Sequence, residues 1–164
     1  MYLIKWLSLS LVFILIVSCG VKQSTDELWR TAERNIQERN YKAAVKSLRK
    51  LVKAYPDDAL AARAQFRIDD IYMNRTNDIP RSLKEFDRTI VNYPDTEEAV
   101  KALFMIGFVN ANFLNDYEAA RKAYGDFIEM YPNHELVHSV KFELENLGKA
   151  IDDLDVLKGM TDAN

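Results

Sequence analysis

The chain has few of the residues from which most enzyme sites are built. Its 164 residues include one cysteine, two histidines and five glycines. The single Cys19 excludes a disulfide within the chain, and the scattered glycines form no phosphate-binding loop. With both histidines in one short stretch, a Ser-His-Asp arrangement has little to draw on. We therefore expect neither an enzyme active site nor a cofactor.

The chain also lacks a marked excess of charge and any strand-like pattern. It carries 22 Lys and Arg against 25 Asp and Glu, for a formal net charge of −3. A protein that binds nucleic acid normally shows a basic face, so nucleic acid is not an expected partner. No segment alternates with a period of two, as a half-buried strand would. We therefore predict an all-α fold.

Long apolar runs are confined to the first residues, MYLIKWLSLSLVFILIVSC. Lys5 is the only charge in that stretch, and the apolar run from Leu7 to Val17 is shorter than the roughly 20 residues of a membrane-spanning helix. A basic start, a short apolar middle and a small residue before a break are typical of a secretory signal. We predict a signal peptide at residues 1–18.

The signal ends in Ile-Val-Ser-Cys, which resembles the lipobox of bacterial lipoproteins. The resemblance implies that residues 1–18 are removed and that Cys19 carries the lipid (a diacylglyceride and an amide-linked acyl chain such as palmitate). Two or three acyl chains suffice for stable anchoring. Gly20, rather than Asp, follows the cysteine, and among lipoproteins this implies delivery to the outer membrane. The alternative is an ordinary thiol at the end of an uncleaved anchor.

A period of 38 residues runs through the remaining sequence. Tyr-Pro occurs three times at this spacing, at 55–56, 93–94 and 131–132. Proline ends a helix because it lacks an N–H donor and disfavours a helical residue before it. The next residue is a predicted N-cap in each case: Asp57, Asp95 and Asn133. A second set of predicted N-caps shares the same spacing: Asn40, Asp78 and Asp116.

These signals predict a series of helix pairs preceded by a short tether at residues 19–24. Ser24 and Glu27 have the spacing of a capping box. The predicted helices lie at about 25–38, 41–55, 58–74, 79–93, 96–112, 117–131 and 134–150. Six tether residues reach about 20 Å at most, so the folded part is expected close to the membrane. The acidic tail at residues 151–164 is expected to fray.

The second helix of each pair resembles the tetratricopeptide repeat, in which Ala, an aromatic residue and Pro follow at fixed intervals. The matching residues are Ala120, Tyr124 and Pro132; Ser82, Phe86 and Pro94; and Ala44, Leu48 and Pro56. The family's small-residue position holds Gly107 in the third unit, but Thr31 and Asp69 in the first two. The resemblance implies a right-handed superhelical stack of about three and a half repeats over residues 25–150.

The lipobox, the tether and the long repeats together resemble the BamD family, lipoproteins of the outer-membrane β-barrel assembly machine. The repeats are also similar to the repeat domain of CpoB (YbgF), the Tol-Pal coordinator. The resemblance implies a non-catalytic scaffold, anchored by lipid and facing the periplasm, that binds an envelope protein or peptide. A coordinator of the Tol-Pal or cell-wall kind is the alternative. No particular oligomeric state is implied.

In tetratricopeptide stacks the first helix of each pair faces an inner groove, and this implies eight partner-binding residues here. They are Arg63, Phe66, Asp70 and Asn74 in the second unit, and Lys101, Phe104, Phe108 and Asn112 in the third. The column of Leu28, Phe66, Phe104 and Phe142 has a simpler reading as core packing at helical spacing. In that reading Arg63 and Lys101 are solvated surface charges.

One motif is typical of a different class of protein, the zinc proteases. His134, Glu135 and His138 spell H-E-x-x-H, the zinc-protease pattern. The 38-residue register places these residues in the first turn of the last helix. Zinc catalysis needs a third protein ligand, and Glu143 and Glu145 lie on the same predicted helix and cannot turn back to supply it. A small zinc hydrolase is therefore a remote alternative, and we interpret the motif as coincidental.

Overall fold

The computed structural model describes residues 22–149. This part of the chain forms seven α-helices and no strand: α1 (Thr25–Gln37), α2 (Tyr41–Ala54), α3 (Ala59–Asp70), α4 (Ile79–Asn92), α5 (Glu97–Val109), α6 (Tyr117–Met130) and α7 (Val137–Glu145). The all-α prediction is confirmed. The predicted signal peptide, Cys19 and the tail at 151–164 lie outside the described residues. Within them, no helix has both the length and the apolar character needed to cross a membrane.

The helices pack as successive antiparallel pairs. α1 pairs with α2, α3 with α4, and α5 with α6, while α7 covers α6 at the end of the stack. The first helices also touch one another, α1 against α3 and α3 against α5. The predicted stack of helix pairs is therefore confirmed, and the first helices share one side of it.

Each second helix begins at the predicted cap. The side chains of Asn40, Asp78 and Asp116 accept hydrogen bonds from the backbone N–H three residues ahead. The residue before each cap has a left-handed backbone, with φ of 59° at Arg39, 52° at Asn77 and 53° at Asn115. At the start of the stack, Ser24 and Glu27 form the predicted capping box.

The caps of α3 and α5 stand one residue later than predicted. Asp58 and Thr96 are the N-caps, not Asp57 and Asp95. The reason is a tight turn over each Tyr-Pro, in which the N–H of the capping residue donates to the tyrosine carbonyl at 3.2 Å. The first residue after the proline is part of this turn, so the second residue after the proline is the N-cap.

The first helices of the second and third pairs, α3 and α5, continue into π-helical turns at Ile71–Arg75 and Asn110–Leu114. A backbone hydrogen bond from the next N-cap closes each turn, from Asp78 N to Tyr72 O at 2.7 Å and from Asp116 N to Asn110 O at 2.8 Å. These turns lengthen the first helix, which accounts for a repeat longer than the usual 34 residues or so.

The core follows the predicted columns in the second helices. Ala44, Ser82 and Ala120 are fully buried, and so are the larger residues one turn later: Leu48, Phe86 and Tyr124. In the third unit the ring of Tyr124 lies directly against Gly107. In the second unit Asp69 occupies the glycine's position, and its Oδ2 accepts a 3.0 Å hydrogen bond from Thr89 Oγ1 on α4.

The last helix is shorter than predicted. α7 begins at Val137 rather than at residue 134 and ends at Glu145 rather than at residue 150. Gly148, with φ of 81°, lies against the ring of Tyr117 just after the helix end. Val140 is fully buried, but Phe142 is 44 % exposed. The core-packing reading is therefore wrong for Phe142, because no further helix covers that side of α7 in the described chain.

Candidate functional site

The first helices of the pairs line a cavity of about 510 Å³, with contributions from α1, α3 and α5. Three of the eight predicted groove residues, Arg63, Phe66 and Asp70, lie on its wall. They come from one face of α3, because residues spaced by three and four project on the same side of a helix. Trp29 of α1 faces them from the first unit.

Arg63 and Phe66 give this cavity a cationic and an aromatic part. The guanidinium carbon of Arg63 lies 5.3 Å from the ring centroid of Trp29, a cation–π distance. The ring of Phe66 packs on Phe86 of α4 with centroids 5.8 Å apart, and the residue is only partly buried. Phe66 therefore contributes to interhelical packing and also faces the cavity.

Most other charges at this cavity are already satisfied within the protein. Arg67 donates two hydrogen bonds to Glu33, at 3.1 and 3.2 Å, and one to Asp70 at 2.9 Å. Asn74 donates to the other oxygen of Asp70 at 2.7 Å. Arg63, by contrast, has no ion pair among residues 22–149. Glu98 of α5 also lines the cavity and likewise has no ion pair in this part of the chain. Arg63 is therefore the cation in the cavity wall that remains available to a ligand, and Glu98 is the available carboxylate.

The four predicted residues of the third unit do not line the same cavity. Phe104 and Phe108 stack along α5 with centroids 6.3 Å apart, and Phe104 also meets Tyr124 at 6.1 Å. Lys101 is an exposed residue with Glu97 3.9 Å away, a weak contact. Asn112 uses its amide to donate to the carbonyl of Phe108 at 2.9 Å. This half of the face is an aromatic row rather than a charged cavity.

Three residues of this face were not predicted from the sequence: Trp29, Arg67 and Phe113. Trp29 and Arg67 stand 38 residues apart, in the column next to Leu28 and Phe66, so the period could have indicated both. Phe113 extends the aromatic row, since its centroid lies 6.1 Å from that of Phe108 and it is 47 % exposed. It was overlooked because the predicted helix ended before it, whereas the π-helical turn continues through it.

A polar cluster centred on the buried Glu85 joins the first two helix pairs. Glu85 of α4 accepts from Arg49 and Arg88 at 2.7 Å each and from Gln65 at 2.9 Å. Burial opposes its ionisation, but these hydrogen bonds outweigh burial and lower the pKa of Glu85. Burial, with a further contribution from the charge of Glu85, raises the pKa of nearby Asp69 to about 8. At neutral pH Glu85 is therefore charged and Asp69 is mostly neutral.

The H-E-x-x-H residues do not form a helix face. His134 and Glu135 precede α7, so their predicted placement in the first helical turn is wrong, whereas His138 lies in that turn. His134 occupies the capping column of Asp58 and Thr96, and its Nδ1 accepts from the N–H of Leu136 at 3.1 Å. Its Nε2 lies 3.4 Å from Glu97. Across residues 22–149, no group of three or more His, Cys, Asp or Glu has metal-binding geometry.

Paired helices, small residues against aromatics and a groove shared by the first helices define a tetratricopeptide-like repeat protein. The family model described as YfiO, outer membrane lipoprotein, matches residues 21–156. The chain therefore belongs to this family of outer-membrane lipoproteins. A search of curated proteins found no significant match.

Proposed function

We propose that the protein is a lipid-anchored, non-catalytic scaffold that faces the periplasm and binds a segment of an envelope protein in the groove of the first helices. The observation that carries this proposal is the cavity formed by Trp29, Arg63 and Phe66. Arg63 has no ion pair in the described part of the chain and lies beside partly exposed aromatic rings, and arginine and aromatic residues are the types that contribute most binding energy at protein interfaces.

The groove suits an extended or helical peptide with a carboxylate next to apolar side chains. Arg63 supplies the charge at one end, and the row of Phe104, Phe108 and Phe113 supplies apolar contact area farther along the stack. Family membership supports a role at the outer membrane. The proposed cellular function is the one that the resemblance to the BamD family implies, namely assembly of outer-membrane proteins.

A non-catalytic role is part of the same proposal. It is supported by the state of His134, whose two ring nitrogens both face groups of the protein itself. It is also supported by the backbone, which places His134 and His138 in different local structures rather than one helical turn apart.

The groove can be tested by photo-cross-linking in cells. We expect a benzoylphenylalanine at Phe66 or Phe108 to yield a discrete adduct with an envelope protein, because these rings face the first-helix side. The same group at Val91 of α4, which is 77 % exposed, should yield none. Mass spectrometry of the adduct separates an outer-membrane assembly partner from a Tol-Pal or cell-wall partner.

Charge reversal provides the matched control. The double variant Arg63→Glu, Lys101→Glu should lose most of the adduct while its stability changes by less than about 1 kcal/mol. The control Lys84→Glu, Arg121→Glu reverses two exposed charges on second helices and should retain the adduct. Equal adduct yields in the two double variants would show that the partner does not bind in the groove.

The anchor is tested separately. We expect the Cys19→Ala variant to keep its signal peptide uncleaved and to leave the outer-membrane fraction, because no thiol remains to carry the acyl chains. Membrane fractionation and immunoblotting against wild type measure both effects. A variant found in the outer membrane at the wild-type level and size would contradict lipidation at Cys19.

A further inference from the structure

A second pocket, larger than the groove cavity, opens on the side of the second helices. It encloses about 690 Å³ between α2, the π-helical turn after α3 and the first turn of α4. Its apolar surface comes from Val45 and Ile71, which are buried, and from Tyr41 and Tyr72, which are partly buried. The volume is in the range of small-molecule and side-chain binding sites.

Positive charge surrounds this apolar surface. The lining includes Lys42, Lys46, Arg49 and Arg81, with Asp78 as the one carboxylate. The chain as a whole has a slight excess of acidic residues, so this concentration of basic side chains does not reflect its composition. An anionic ligand would be attracted to the pocket on charge alone.

Two of the four cations are free to bind a ligand. Arg49 is paired with Glu85 at 2.7 Å and Arg81 with Asp78 at 3.2 Å. Lys42 and Lys46, one turn apart on α2, make no ion pair within the described part of the chain. Their ammonium groups therefore supply net positive charge at the mouth of the pocket.

The pocket is held open by contacts among three elements. Arg49 donates to the hydroxyl of Tyr72 at 3.4 Å while its ion pair connects α2 to α4. The guanidinium carbons of Arg49 and Arg81 lie 6.0 and 5.7 Å from the Tyr72 ring centroid. The Tyr72 carbonyl accepts from the N–H of Asp78 at 2.7 Å. The site is thus preorganised, and binding requires little ordering of its walls.

We propose that this pocket binds an acidic segment of a partner protein, with an aromatic or large aliphatic side chain inserted between Tyr41 and Tyr72. The acidic residues of the segment pair with Lys42 and Lys46. This site lies on the second-helix side and is distinct from the groove of the first helices.

The position of the pocket favours a protein ligand over an anionic lipid headgroup. The chain enters the fold beside the end of α2, where the Tyr55 hydroxyl donates to the Gln23 carbonyl at 2.7 Å. Tyr41 and Lys42 stand at the opposite end of that 14-residue helix, about 20 Å away at 1.5 Å per residue. The mouth of the pocket is therefore far from the point where the tether holds the fold.

The test uses full-length protein in dodecyl maltoside and a fluorescein-labelled octapeptide of six acidic residues around two Phe. Anisotropy should show saturable binding with a Kd of about 100 µM or tighter at low salt, weakening as salt screens the charges. The variant Lys42→Glu, Lys46→Glu should bind about tenfold more weakly or worse. Both residues are exposed and make no ion pair among residues 22–149, so circular dichroism should show an unchanged fold.

The matched control is Lys53→Glu, Lys84→Glu, with the same charge change on α2 and α4 outside the pocket. It should keep nearly wild-type affinity, as should the groove variant Arg63→Glu, Lys101→Glu. Replacing both Phe of the peptide by Ser should also abolish saturable binding. Equal losses of peptide affinity in the control and pocket variants would show that binding depends only on the overall charge of the protein, and this would overturn the proposal.

Other ligands of this pocket would give different results in binding experiments. Binding of phosphatidylglycerol in mixed micelles by wild type but not by the pocket variant, without peptide binding, would assign the pocket to the membrane and overturn the proposal. A higher peptide affinity after changing Asp152, Asp153 and Asp155 to Asn would assign the pocket to the protein's own tail. Absence of saturable peptide binding to wild type would also overturn it.

Discussion

Replacing Asp69 with Asn is expected to stabilise the protein by several kcal/mol at pH 8 and to change its stability little near pH 4. In the folded protein the Asp69 carboxyl has a pKa of about 8, against 3.8 for an unperturbed carboxyl. Between these values the folded state holds a proton that the unfolded state has released. The free energy of unfolding therefore falls by about 1.4 kcal/mol per pH unit as the pH rises through that window.

The asparagine variant lacks this dependence because its amide does not titrate, while its shape still allows the contact with Thr89. Glu85 acts in the opposite direction. Its lowered pKa stabilises the fold above about pH 4.5, and this contribution is lost as the pH falls. Since Glu85 is present in both proteins, the difference between them isolates Asp69.

Urea unfolding of full-length protein in neutral detergent, followed by circular dichroism at pH 4.5, 6 and 8, measures the effect. Asp87→Asn on α4 is the control. Burial also raises the pKa of Asp87, but this residue is exposed, and solvent screens its charge. Its removal should therefore give a much smaller slope. Parallel stability curves for wild type and Asp69→Asn would show that Asp69 is ionised in the fold at neutral pH.

The sequence predicted the elements that depend on local chemistry repeated at a fixed spacing. Asn40, Asp78 and Asp116 cap their helices as predicted, since an Asx side chain reaches its own backbone within a few residues. The buried columns of the second helices were also correct, because a period of 38 superimposes equivalent packing positions. The helix starts after Tyr-Pro differ from the prediction because the turn includes the residue after the proline. The ends of α3 and α5 differ because a π-helical turn has no distinctive residue pattern.

The features of the candidate sites depend on contacts between distant parts of the chain. Asp69 was recognised only as a departure from a small-residue position, and its neutral state follows from burial and from Glu85 on another helix. The second-helix pocket combines residues from α2, the π-helical turn and α4, and none of its cations falls in a recognisable motif. Arg63 and Phe66 were found because the repeat itself identifies the inner face of the first helix.

Alanine substitutions at two helical glycines are expected to change the stability of the protein in opposite directions. Gly125 lies on the exposed side of α6, and an added Cβ would meet no atom within 4 Å. Gly125→Ala should stabilise the protein by about 0.5–1 kcal/mol through the higher helix propensity of alanine. At Gly107 a Cβ would lie 2.5 Å from Cδ1 of Tyr124. That ring is fully buried and cannot move freely, so Gly107→Ala should destabilise by about 1–3 kcal/mol.

A double-mutant cycle shows whether the tyrosine ring causes the loss. The first unit carries Leu48 in the column of Tyr124, together with Thr31 in the column of Gly107, so a smaller aliphatic partner tolerates a side chain at that position. Tyr124→Leu alone should destabilise by about 2–4 kcal/mol because it leaves a cavity. The double variant Gly107→Ala, Tyr124→Leu should be more stable than the sum of the single losses predicts, by at least about 1 kcal/mol. Strict additivity in urea unfolding would mean that Gly107 is required for a reason other than the close approach of α5 to α6.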